Sequence, residues 1–389
     1  MVIPSLNFFL QAALALVGAE WVRRVFWMRG FRKVHPPIVP SDWAGGAAPP
    51  VSVIVPARDE EKNIARCLES LFLQSYRGFE IVVVDDRSSD RTPEILERLR
   101  AASPVPMRVV RIEKLPPGWT GKNHAMTAGS KAAGGEWLLF TDADTTHTPQ
   151  SLSTALAVAV AERADFLTLA PETESHSFWE KTVQPLAVGS LALWFNPVKV
   201  NDAKSGVTLA NGQFILVKKS AYETVGGNES VKDQVVEDVE LAKKFRAAGL
   251  VVRFLDGTRL YSTRMYSSLA EIRRGWTRIF THLFEKKTSR ILHKVFLYSF
   301  FSIFPFVVLF AEGFRAACGS PDAALLASSA AVCALIVAIR FAGNRMVRSD
   351  PWFAFLHPLG SLVLVWILLD CVGRIAFNRP SVWRGEHYR

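Results

Sequence analysis

Residues 136–149 read EWLLFTDADTTHTP, an apolar run that stops without a break at two aspartates one residue apart. Trp137 to Phe140 has the length and unbroken apolar character of a buried strand. In extended geometry alternate side chains project to one side, so Asp142 and Asp144 can point the same way just past its carboxyl end. Such a pair suits one hard divalent cation, Mg2+ or Mn2+, which takes oxygen ligands and is typically held by one or two carboxylates together with substrate phosphates. A solvated turn, or a cap for a helix entered at Pro149, accounts for one aspartate and leaves the other over.

The same design recurs upstream. VSVIVPARDEEKNI (51–64) runs from a buried strand into a helix, with Pro56 stiffening the turn and Arg58, Asp59 and Glu60 at the helix entrance. EIVVVDDRSSDRT (80–92) ends a second strand in Asp85 and Asp86, and Asp90 is placed to cap the helix from Arg91. Short β-branched runs alternate with helical stretches from Val51 to about residue 260. That alternation predicts an α/β fold with a largely parallel sheet and ligands at the carboxyl ends of its strands.

Outside this unit the chain changes character. Of 389 residues 49% are hydrophobic, and the net charge is +10. The basic residues cluster in WVRRVFWMRGFRK (21–33), between Arg273 and Lys294, and in the tail from Asn378, each beside an apolar run. This placement fits an anionic membrane surface and argues against a nucleic-acid partner. Cys67, Cys318, Cys333 and Cys371 form no CxxC pair, so neither a disulfide framework nor a zinc site is expected, and all four read as small buried hydrophobes.

The expected organisation is a transmembrane anchor at 1–22, a basic and Pro/Gly-rich linker at 23–50 and the α/β domain at 51–265. A basic amphipathic interfacial helix at 266–294, a membrane region of about three apolar segments at 295–372 and a basic tail at 373–389 complete it. Val17-Gly18-Ala19 leaves cleavage of the first helix open, and Trp21 and Trp27 fit an interfacial belt. Basic residues after the first span put the domain in the cytoplasm. Three further spans would carry the basic tail outside, against the positive-inside tendency, unless one run is re-entrant, at Pro305 or at His357-Pro358, so the sequence leaves the side of the tail open.

VIVPARDE, VVVDDRSSDRT, TDAD and VEDVELAKKFRAAG (236–249) occur in this order over about residues 51–250, and together they resemble the motif set of the family 2 glycosyltransferases of GT-A fold. The resemblance implies a Rossmann-like nucleotide-diphospho-sugar transferase domain. Pro56, Arg58, Glu60, Asp85 and Asp86 would then line the nucleotide pocket, and Asp142 and Asp144 would be the metal motif at the donor diphosphate. Lys122, in GWTGKNHA (118–125), would sit near the same phosphates; Asn123 stands where a Walker loop needs Ser or Thr. Glu237-Asp238 matches the catalytic-base motif, with Asp238 as base, held ionised by the N–H groups of a helix start. Gly212, in NGQFILVKKSAYETVGG (211–227), would allow close approach of donor sugar and acceptor, whereas Gly226-Gly227 reads as a helix stop.

Phe178, Trp179, Trp194 and Phe195 around an apolar stretch, and EIRRGWTRIFTHLFEKK (271–287), carry the pattern of helices at a membrane surface, which suggests a lipid acceptor. Ile272-Arg273-Arg274-Gly275-Trp276 lacks the Q-x-x-R-W of the family's processive synthases, which favours single transfer, with Arg274 and Trp276 as acceptor-side residues. The GWTGKNHA box, the RRGW helix and the closing VWRGEHY look most like the bacterial hopene-associated and carotenoid-acid glycosyltransferases. That placement implies an inverting enzyme of the bacterial inner membrane with a cytoplasmic catalytic domain, a nucleotide-sugar donor of the UDP type and a divalent cation. A processive synthase and a non-catalytic protein with a relict nucleotide site remain the alternatives.

Overall fold

The computed structural model of the chain describes residues 6–379, 381–383 and 386–388. Residues 1–5 of the expected anchor and 380, 384, 385 and 389 of the tail lie outside the described residues.

The α/β unit is built on a seven-stranded sheet. In chain order its strands are β1 (Val51–Ala57), β2 (Phe79–Asp86), β3 (Met107–Ile112) and β4 (Trp137–Thr141). After β5 (Thr145–His147) come β6 (Phe166–Ala170), β7 (Glu172–Thr173), β8 (Phe214–Lys218), β9 (Val252–Asp256) and β10 (Tyr261–Thr263). The spatial order is β3-β2-β1-β4-β8-β6-β9, and β5, β10 and β7 form a small second sheet. Only β8 runs against its neighbours, antiparallel to both β4 and β6. The central strands are buried along nearly their whole length, as two-sided helix cover requires, and so read as continuous apolar runs. β1 pairs in parallel with β2, Val55 opposite Val83 and Ala57 opposite Asp85, and with β4 on its other side. The carboxyl ends of β1, β2 and β4 therefore lie side by side.

The first five helices are α1 (Leu6–Val34), α2 (Ile64–Phe72), α3 (Thr92–Ala102), α4 (Gly121–Ala132) and α5 (Ser151–Ala161). α6 (Phe178–Trp194), α7 (Pro197–Asn201), α8 (Lys219–Thr224), α9 (Glu237–Ala247) and α10 (Leu269–Leu283) follow, then α11 (Thr288–Tyr298), α12 (Phe304–Ala317), α13 (Ala323–Met346) and α14 (His357–Ala376). Asp90 accepts from the N–H of Thr92, the first residue of α3, at 2.9 Å and from that of Glu61, in the turn ahead of α2, at 3.0 Å, so one carboxylate ties the two loops together. Gly226 and Gly227 are left-handed, with φ of 78° and 51°, and stop α8.

Three helical stretches among the described residues are long and apolar enough to cross a membrane: Thr288–Ala317, Ala323–Met346 and Pro351–Ala376. A π-helical turn at Ser299–Ile303 joins α11 to α12, and Pro305 sits in the first turn of α12, so it interrupts nothing. The break falls instead before α14, where a 3-10 turn at Pro351–Leu356 precedes His357.

α1 does not stop at residue 22. It continues as helix through the basic stretch, because Glu20 ties down Arg23 at 2.6 Å and Arg24 at 2.9 Å across one turn. α1 lies beside α13 in parallel: Asn7 donates to Asp322, Leu14 packs with Leu325, and Val17 and Trp21 pack with Ile336. Trp21 is buried and donates its Nε1–H to the Phe301 carbonyl at 2.7 Å, so it belongs to helix packing and not to an interfacial belt. Cys318 is exposed, unlike the other three cysteines.

α10 and α6 form a layer on the α/β unit, and α14 lies across both. Trp276 donates to Gln184 of α6 at 2.6 Å. Near the start of α14, a Cβ on Gly360 would meet the Thr182 carbonyl at 2.6 Å; toward its end, Thr277 of α10 donates to Asp370 at 3.2 Å. Ile272, Trp276, Phe280 and Phe284 are consequently buried against Val183, Leu364, Ile367 and Leu368. The amphipathic face of 266–294 thus meets protein, and that segment is two helices, α10 and α11, separated by a turn with Glu285 and Lys286 at positive φ.

Candidate active site

β1, β2 and β4 end on one open cleft, lined by Pro56, Arg58, Glu60, Asp86, Lys122, Asp142, Asp144 and Glu237 together with Thr120, Gly121, Gln234 and Arg278. Eight of the residues singled out from the sequence share this one wall.

Its centre is an ion chain. Lys122 Nζ lies 2.8 Å from Asp142 Oδ1 and 2.9 Å from Glu237 Oε1. Burial opposes the ammonium charge, but Asp142 and Glu237 outweigh it and hold Lys122 well above the usual lysine range. Gly212 stands against the same group. A Cβ there would lie 3.0 Å from Lys122 Nζ, 3.2 Å from Glu237 Oε1 and 3.4 Å from Asp238 Oδ2, so glycine is what admits the three side chains together.

Asp238 lies behind this chain at the start of α9. Its Oδ2 accepts the Gly212 N–H at 2.7 Å and its Oδ1 accepts the Val239 N–H at 2.8 Å. Those N–H groups and Lys122 favour the ionised form. Burial and the adjacent Glu237 are larger, and push the carboxyl up to about 7. The helix start therefore does not keep Asp238 strongly ionised; the group is poised near neutrality.

Loop geometry fixes the Asp142–Asp144 turn. The Asp142 carbonyl accepts the Thr145 hydroxyl at 2.7 Å, and Asp144 Oδ1 accepts the Thr263 hydroxyl at 3.5 Å, itself held by Gln213 at 3.0 Å. Both carboxylates face the cleft. The donor set is oxygen only, as a hard cation requires. No group of three or more His, Cys, Asp or Glu side chains among the described residues forms a cation site of its own, so oxygens of a bound substrate would have to complete the shell.

Five expected residues do not line the cleft: Gly212 and Asp238 lie directly behind its wall, against Lys122 and Glu237, while Asp85, Arg274 and Trp276 are set away from it. Asp85 is buried and turns to accept the Ser88 N–H at 3.2 Å, because consecutive strand residues face opposite ways and Asp86 takes the cleft side. Trp276 is buried under α6 and α14, and Arg274, on the same face of α10 as Arg278 but one turn earlier, is exposed and does not line the cleft. The residue of that helix which does reach the cleft is Arg278, one turn beyond Arg274. Helical spacing from Asp370-bonded Thr277 could have indicated it; sequence alone did not say which face of α10 met the domain.

Asn123 was noted only as a Walker mismatch. It is fully buried, donates to the carbonyls of Val231 and Gln234 at 2.8 and 3.0 Å, and accepts from Asn228 at 2.8 Å. It thereby ties the start of α4, which carries Lys122, to the segment that leads into Glu237 and Asp238. Gly121 is a second missed position: a Cβ there would lie 2.5 Å from Asp86 Oδ2.

Comparison with known proteins agrees with this geometry. The profile of Glycosyl transferase family 2 matches residues 52–226. The 4,4'-diaponeurosporenoate glycosyltransferase of Staphylococcus haemolyticus (strain JCSC1435) is 29% identical over 231 residues, and that of Staphylococcus aureus (strain USA300) is 25% identical over 239. In both cases the match spans 59% of this chain and 60% of the relative's length. A solved mannosyltransferase, PcManGT from Pyrobaculum calidifontis, in complex with GDP-Man and Mn2+, superposes with a TM-score of 0.54 at 17% identity, covering 95% of this chain and 99% of that one. At that identity the superposition speaks for the fold alone. Motif order, sheet and profile converge: residues 52–226 match the Glycosyl transferase family 2 domain, the α/β unit has the GT-A fold, and the proteins similar to this chain include carotenoid-acid glycosyltransferases.

Proposed function

We propose that the protein moves one sugar, with inversion, from a nucleotide-diphosphate sugar to a membrane lipid, and that the cleft at the ends of β1, β2 and β4 is where this happens. The observation that carries the reading is the cluster of Lys122, Asp142, Glu237, Gly212 and Asp238 on one wall, next to the apolar layer of α6, α10 and α14.

In this reading Asp86, Arg58, Glu60 and Pro56 receive the nucleoside, the first taking donors from base or ribose. Lys122 and Arg278 face the diphosphate and steady the negative charge left on it as the anomeric C–O bond breaks. Asp142 and Asp144 would hold a divalent cation, Mg2+ or Mn2+, which when bound would neutralise diphosphate charge. Asp238 takes the proton from an acceptor hydroxyl as that oxygen bonds to the anomeric carbon from the opposite face. A base needs to be both available and avid near neutral pH, which is what burial and Glu237 give Asp238. A carboxylate acceptor would arrive already ionised and would need no base, so the raised proton affinity of Asp238 favours a hydroxyl.

The lipid acceptor is supported by the three long apolar helices and by the position of α14. α14 is itself long and apolar enough to span, but both of its ends touch helices of the catalytic-domain layer, so we place it along the membrane surface. The helical stretch through α12 and the helix α13 then cross, and α1, which packs along α13, is placed beside them. The tail then returns to the side of the catalytic domain, the cytoplasmic face of a bacterial inner membrane, as its basic residues require.

The test supplies isolated membranes with radiolabelled UDP-sugars, with GDP-sugars as a second arm, and resolves the extracted lipids. Lipid carrying a single sugar, formed only with added Mg2+ or Mn2+, is expected. A ladder of oligosaccharides would assign the chain to processive synthesis, and no label transfer from any donor would leave the relict-site reading standing.

A further inference from the structure

A second cluster of charge lies at the opposite end of the α6 layer. α1 and α13 run in parallel from the Asn7–Asp322 contact through Gly18 against Val332 to Trp21 against Ile336, so their next turns bring Arg24 level with Arg340. This is the end of the crossing helices that meets the catalytic domain. His357, at the first residue of α14, stacks edge-on against Trp21 at 5.6 Å and lies in the field of both arginines, as does the Tyr298 hydroxyl, which sits against Ser190 and Ser361. Gly189 of α6 approaches too: a Cβ there would be 3.8 Å from Arg340 Nη1.

The cations outnumber their anions. Glu20 serves both Arg23 and Arg24. Arg340 has no carboxylate within ion-pair distance among the described residues. Its Nη2 donates to the neutral Asn344 at 3.1 Å, and its Nε is buried without a hydrogen-bond partner. His357 Nδ1 is likewise buried and unpartnered, while Nε2 faces Ser361 at 3.4 Å. The nearby Asp350 carboxylate is engaged by Lys181 at 3.5 Å. A guanidinium among apolar helices without a counter-charge is costly, and such residues pair with one another, with carbonyls or with an anion.

We infer that Arg24, Arg340 and His357, where α1, α13 and α14 meet α6, bind the anionic headgroup of a membrane lipid. The guanidinium groups supply charge-assisted donors to a phosphate, and Ser361 and Tyr298 supply hydroxyls. The surrounding faces are apolar, with Phe296, Phe310, Trp352 and Phe355 exposed on neighbouring turns, so acyl chains find cover where the headgroup is held. The height is right as well: the cluster sits where crossing helices give way to the catalytic-domain layer, the depth of a headgroup region. The inference uses the membrane placement proposed above and is independent of the sugar-transfer reading.

The experiment measures the Tm of the full chain in neutral detergent with added phosphatidylglycerol, phosphatidylcholine or inorganic phosphate. Phosphatidylglycerol is expected to raise Tm by about 3 °C or more in the parent and in Arg345→Gln, an exposed control on α13, and to lose most of that effect in Arg340→Gln. Should Arg340→Gln fail to fold, Arg24→Gln carries the same comparison, and native mass spectrometry of the parent is expected to retain phosphatidylglycerol over phosphatidylcholine. An equal response to the two lipids, or an undiminished shift in a folded Arg340→Gln, overturns the inference. Reproduction of the shift by inorganic phosphate alone overturns the lipid assignment in favour of a free-anion site.

Discussion

Lys122 and Arg340 are both cations removed from bulk water, and they are handled in opposite ways. Lys122 lies within 2.9 Å of two carboxylates, whereas Arg340 touches an amide and leaves one N–H unused. The first arrangement carries its own counter-charge, two carboxylates to one ammonium, so its folding does not wait for a ligand, and a diphosphate entering the cleft exchanges one set of anions for another. The second is left positive and gains most from an anion that arrives with its own apolar cover. The contrast matches the two proposals made above, soluble-substrate chemistry at the strand ends and lipid contact at the helix junction.

The change with the largest expected effect on the neutralised site is Asp238→Asn, which keeps a hydrogen-bond acceptor and removes the base. Sugar transfer at saturating donor should fall by about 10²–10⁴-fold, with donor affinity by calorimetry unchanged; near-normal turnover would reject Asp238 as base. Gly212→Ala comes next. Its added methyl must displace Lys122, Glu237 or Asp238 from contacts of 3.0 to 3.4 Å, and turnover should drop by about 10- to 100-fold with little change in Tm.

A smaller effect concerns stability against pH. Asp238 titrates near 7 in the fold and near its ordinary 3.8 when unfolded, so between those values the folded chain binds the extra proton and loses stability as pH rises. Asp238→Asn escapes that loss. Its Tm should exceed the parent's above about pH 7, with the difference shrinking as the folded carboxyl is protonated and vanishing near pH 4. Parent turnover should rise through the same pH range in which Asp238 ionises. At the bottom of the scale stands Arg274→Ala: with its side chain exposed and off the cleft, turnover should stay within about twofold of the parent, and a greater loss would restore it to the acceptor side.

The sheet was the most legible part of the sequence because parallel central strands cannot alternate: VSVIV, IVVVDD and WLLF had to be buried on both faces, and the carboxylates at their ends had nowhere to go but one lip. Which of Asp85 and Asp86 faced that lip depended on strand phase, which the sequence does not state. Asn123 was illegible for another reason, since its partners Val231 and Gln234 lie more than a hundred residues away. The sequence does not say whether α10 meets lipid or protein, because an apolar stripe of Ile272, Trp276 and Phe280 has the same period whatever covers it. Nor does charge mark the end of α1, since Glu20 and two arginines one turn away extend a helix.

The stretch recognised as the family's own ends at residue 226, yet Glu237, Asp238 and Arg278 all follow it. Arg278 shares its helix with Trp276 and Phe280, whose covers are α6 and α14. A polypeptide cut after 226 loses the groups proposed here for the reaction, and one cut before α14 lays bare the indole and phenyl rings that make such fragments stick together.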